Sequence, residues 1–110
     1  MFGIFKKKAS VQNTMDRELI EKNSGAIDAL VVLAYDDAVK AKLKALKEQV
    51  KYIIPLVDEK AYSMDKKVSA LIGDIKIELS KYNGEEKVAA KIANLIRDLE
   101  VLVAERKALV

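Results

Sequence analysis

The sequence predicts an all-α fold, and three observations carry that expectation. Val88, Ile92, Leu95, Leu99, Leu102, Arg106 and Leu109 follow spacings of four and three, the repeat of a single helix face. Only one Pro and four Gly interrupt 110 residues in which Ala, Leu, Lys, Glu and Ile recur, and most of these are strong helix formers. The punctuation between the long runs is brief: Asn23-Ser24-Gly25, the Pro55 corner and Asn83-Gly84. Long helices joined by short turns must run antiparallel. The expected architecture is an antiparallel up-down-up three-helix bundle of long helices with an additional short N-terminal helix. It forms one domain over 10–110, preceded by a flexible apolar and basic tip over 1–9.

The first element is a short helix over 10–22, with Val11, Met15 and Leu19 or Ile20 as a narrow apolar stripe. Ser10 or Thr14 is its candidate N-cap, and Glu18 precedes Lys22 by four residues in the favourable order. Asn23-Ser24-Gly25 then ends it, with Ser24 suited to cap the next helix.

That next helix, 24–54, is the element around which the chain is organised. Its first half, Ala26 to Ala34, is apolar on nearly every side, which demands cover on several faces. Its second half resolves into a seam (Val39, Leu43, Leu46, Val50, Ile53), an alanine edge (Ala34, Ala38, Ala41, Ala45) and a lysine row (Lys40, Lys44, Lys47, Lys51). Asp28, Asp36 and Asp37 precede the lysines, the order that suits the helix dipole.

Pro55 fits the first position of a third helix, 56–82, with Asp58 and Glu59 in its first turn. Val57, Ala61, Met64, Val68, Leu71, Ile72, Ile75, Leu79 and Tyr82 form its wide face. Gly73 in that face offers room for a close neighbour. Asn83-Gly84 turns the chain into a last helix over 85–109, with Asn83 and Glu86 at capping-box spacing. In size and layout this arrangement resembles a spectrin-type repeat at the level of architecture. The buried Trp of that family has no counterpart here, so no function is carried across.

Composition then narrows the function. Without His the commonest general base and transition-metal ligand are missing, and without Cys there is no thiolate or disulfide chemistry. Such a chain suits a cytoplasmic location. The sequence therefore predicts a non-enzyme that needs no cofactor or metal. Helical nucleotide pyrophosphohydrolases hold magnesium with an EExxE and a later ExxD motif. Glu18-x-x-Glu21 matches that only in part, so a carboxylate-metal nucleotide hydrolase stands as a remote alternative.

Net charge is +3, laid out in blocks: three lysines over 1–10, an acidic excess over 11–39, and a basic excess over 40–55. The Lys40, Lys44, Lys47, Lys51 stripe could grip phosphates. It holds no Arg and few aromatics lie near it, so a solvated face is the simpler reading and nucleic acid a poor partner. The leading expectation is a non-catalytic helical interaction or scaffolding protein. It would bind a protein partner, or itself as a homodimer, through the apolar surplus at Ile27, Leu30, Val31, Leu33 and Ala34. The alternative is a membrane-peripheral protein anchored by Phe2, Ile4, Phe5, Lys6, Lys7 and Lys8, where apolar insertion and lysine attraction to anionic lipid act together.

Overall fold

The computed structural model describes the backbone of residues 2–109 and the side chains of 15–109. Four helices follow one another: α1 (Phe2–Leu33), α2 (Asp37–Lys51), α3 (Glu59–Lys81) and α4 (Glu86–Lys107). The all-helical class is as expected, and no strand occurs among the described residues. The place of the short helix is not: it is α2 and not the N-terminal element. The long element is the first, and the expected central helix is split in two.

Two local causes explain the difference. Asn23-Ser24-Gly25 does not end a helix, because Asp16, Ile20, Asn23, Ile27 and Leu30 form one buried row at spacings of four and three. Two members of that row are polar, which hides it from a reading of apolar periodicity. Burial of the row outweighs the ~1 kcal/mol that a helical Gly costs relative to Ala. The real break comes at Ala34–Asp36. Asp36 has extended backbone (φ −147°), and its side chain accepts from the Val39 N–H at 2.8 Å. It is the N-cap of α2 rather than a residue inside a longer helix.

The later boundaries shift for similar reasons. Pro55 does not start α3 but lies in a non-helical connection between Lys51 and Glu59. Asp58 caps α3 instead, accepting from the Lys60 N–H at 2.9 Å. At the far end Gly84 takes φ +100°, a left-handed conformation that explains a glycine in this turn. The N-cap of α4 is Glu85, with no side-chain cap bond, so Asn83 and Glu86 do not form a capping box. Gly73 is exposed, and a Cβ built there meets nothing within 4 Å. It makes no close helix approach.

Two antiparallel hairpins, α1–α2 and α3–α4, pack side by side. Lys47 pairs with Asp28 across the first (3.1 Å), and Lys91 with Glu78 across the second (3.1 Å). α1 lies against α3 as well as α2, and α4 against α2 as well as α3. The rings of Tyr35 and Tyr82 stack 3.9 Å apart, joining the α1–α2 turn to the end of α3. Asn23 donates to the Asp65 carbonyl further along the same two helices (3.0 Å), so α1 and α3 run parallel. The α2–α3 connection therefore crosses the bundle at its opposite end.

Each helix gives one row to the core: Ile20, Ile27, Leu30; Leu43, Leu46, Val50; Val68, Ile72, Ile75, Leu79; and Ile92, Ile96, Leu99, Val103. In α4 the seam is rotated from the expected one. Ile96 and Val103 are buried, whereas Leu95 and Leu102 are half-buried.

Candidate functional site

The apolar rows are interrupted near one end of the bundle by a sealed polar cluster. α1 contributes Asp16 and Asn23, α3 Asp65, and α4 Arg106, each at most 2% exposed. Arg106 stands where the next core residue of the Ile92, Ile96, Leu99, Val103 row would fall. Its Nε donates to Asp65 Oδ1 (3.0 Å), and one terminal nitrogen donates to Asp16 Oδ2 (3.2 Å) and to the Ile54 carbonyl (2.9 Å). The rigid guanidinium fork suits such division among several acceptors. Asp16 Oδ2 also accepts from the Leu56 N–H (2.8 Å).

The cluster thus grips the α2–α3 connection on both sides of Pro55, which has no N–H of its own. Ile54 is held by its carbonyl and Leu56 by its N–H. Desolvating these charges is expensive and is recovered only through such multiple bonds. Among the described residues, three buried oxygens nevertheless have no hydrogen-bond partner: Asp16 Oδ1, Asn23 Oδ1 and Asp65 Oδ2. Asp65 is pushed up from 3.8 to about 7, first by burial and then by the neighbouring Asp16 carboxyl, against the opposing pull of Arg106.

Outside this clamp the same end is apolar and wet. Tyr52 is 67% exposed, Ile54 65% and Val57 55%, and Met15 beside Asp16 in α1 is exposed as well. Fixing the connection from within leaves these side chains turned to solvent.

The residues singled out in the sequence are distributed differently. Ile27 and Leu30 are fully buried, Val31 and Ala34 pack half-buried against the core, and Leu33 is exposed. Because α2 folds back on α1, most of the apolar surplus is covered within the chain. Lys40, Lys44 and Lys51 are exposed, whereas Lys47 is half-buried and paired with Asp28. The side chains of Phe2, Ile4, Phe5, Lys6, Lys7 and Lys8 lie outside the described residues. Among the described residues no group of three or more His, Cys, Asp or Glu could hold a metal ion, and no helix is long and apolar enough to cross a membrane.

Helical register, read for polar as well as apolar residues, could have located the clamp. Asp16 and Asn23 are seven apart and share the register of Ile20, Ile27 and Leu30, and Arg106 sits in an apolar row of α4. Polar residues in core register at these three places suggest that they meet. The exposed end had no comparable signal, because apolar residues beside a proline read as a buried corner.

Comparison with family models, curated proteins and solved structures finds no match for the chain.

Proposed function

We propose that the chain is a non-catalytic helical interaction protein that docks through the end of the bundle formed by the α2–α3 connection. The observation that carries this reading is Tyr52, Ile54 and Val57 exposed together on a segment whose backbone is pinned from inside. A mobile loop would lose entropy on docking; a pinned one has lost it already. Apolar side chains grouped on a surface mark contact sites more often than scattered ones do.

Two features favour binding over catalysis. The sequence has neither His nor Cys, and the Asp16, Asp65 and Arg106 cluster is closed to any substrate. The grooves beside Glu21 and Lys47, and beside Glu78 and Lys91, are open to solvent, unlike the enclosed pockets that hold small ligands.

The first partner to test is a second copy. Light scattering at tens of micromolar should give a mass near two chains, and the double variant Ile54→Ser, Val57→Ser should return it to one. A wild-type monomer at that concentration excludes self-pairing. A dimer that survives the double variant places the contact elsewhere.

A membrane surface is the second reading, favoured because α1 leads back from Met15 at this end to the Phe2, Ile4, Phe5 and Lys6–Lys8 stretch. Sedimentation with anionic vesicles, lost on deleting residues 1–8 and absent with neutral vesicles, would support it. No co-sedimentation removes it.

A further inference from the structure

We infer that Asp16 and Asp65 share one proton inside the sealed cluster, and that losing it loosens the grip on the α2–α3 connection, making that end of the bundle sensitive to pH. The regulatory consequence rests on the docking reading above; the proton itself does not.

The argument begins with charge and valence. Two carboxylates and one guanidinium sum to −1 in a site with almost no access to water. One proton brings the cluster to zero. It also answers two of the three unpartnered atoms, since an O–H on Asp65 Oδ2 donated to Asp16 Oδ1 would satisfy both and leave only Asn23 Oδ1. A cation in the same place would sit beside the Arg106 guanidinium and be repelled by it. Two carboxyls held together cannot both ionise without cost.

The groups facing Asp65 can be enumerated by element. α1 brings Asp16, α4 brings Arg106, and the connection brings only the backbone of Ile54 and Leu56. Arg106 pulls Asp65 towards ionisation and Asp16 pushes it away, both weaker than burial, and no charge on α2 acts on it. The direction is therefore up.

Folded Asp65, with its pKa raised to about 7 from 3.8, keeps a proton that the unfolded chain releases at lower pH. Its contribution to stability is complete below pH 3.8, shrinks as pH rises, and is gone above about 7. When the proton leaves for bulk water, the cluster returns to −1. Asp16 is then repelled by Asp65 while still holding the Leu56 N–H.

Asp65→Asn tests this. Its amide can donate to Asp16 Oδ1 at every pH, imitating the protonated acid. Between pH 4 and 7 the wild-type folded-to-unfolded ratio should fall by up to about tenfold per pH unit relative to the variant. Hydrogen exchange at the Leu56 amide, corrected for intrinsic rate, should accelerate across pH 6 to 8 in the wild type only. Parallel stability curves or equal Leu56 protection overturn the proposal. Carbon-13 shifts of the wild-type carboxyls provide a readout that needs no variant. One of the two should be protonated at pH 5.5, and two ionised carboxylates at that pH overturn the inference. None of these readouts depends on docking, so a monomeric, unbound protein would remove the docking reading and leave the shared proton standing.

Discussion

Arg106 decides how the polar end is built. It is among the largest fully buried side chains and bonds to Asp16, Asp65 and the Ile54 carbonyl. Arg106→Ala leaves the Asp16 and Asp65 carboxyl pair buried without its counter-charge, a change that costs about 3–5 kcal/mol in comparable sites. Urea unfolding should show a loss of that size at pH 7, and a smaller one at pH 4, where more of the carboxyl charge is neutralised. An Arg106→Ala protein of wild-type stability would mean that the cluster contributes little. At this scale the sequence was partly readable. The apolar periods placed Leu43, Val68, Ile92 and Leu99 on faces that are indeed buried. The same periods passed over Asp16 and Asn23, because residues that belong to a core by position but not by polarity carry no hydropathy signal.

At the scale of elements, tertiary contacts overrode local preference in α1, whereas capping chemistry set the starts of α2 and α3. Ser24-Gly25 is a reasonable helix end by propensity, yet α1 runs through it because Asn23 and Ile27 are buried on either side. Asp36 and Asp58 both act as N-caps through their side chains. Asp58 was placed near its proper role; Asp36 was assigned to the interior of a helix that does not exist. The ends of α3 and α4 were legible to within a few residues because Asn83-Gly84 permits little else. Gly73 gives a quantitative check. It is helical and exposed, with open space where a Cβ would stand. Gly73→Ala should therefore stabilise the protein by about 0.4–1 kcal/mol through the unfolded state. Thermal unfolding measures this, and a destabilised variant would show that something approaches that face.

At the scale of the molecule, two hairpins are locked together at both ends by different means. Stacked Tyr35 and Tyr82 close one end; the Asp16, Asp65 and Arg106 clamp closes the other. The surface consequences differ. The expected interface at Ile27 and Leu30 went into the core, and the largest exposed apolar side chains gather partly at the clamped end. This was beyond a reading of the sequence, because it depends on which way a short connection turns once both its neighbours are fixed. Docking, as proposed, makes Tyr52 to Val57 the contact surface. Backbone amide shifts recorded over a concentration series test it residue by residue. Progressive changes are expected at Tyr52, Ile53, Ile54, Leu56 and Val57, with little change at Val32 or Val101. Changes confined to Ala29–Leu33, or spectra that do not alter up to the highest soluble concentration, would contradict it.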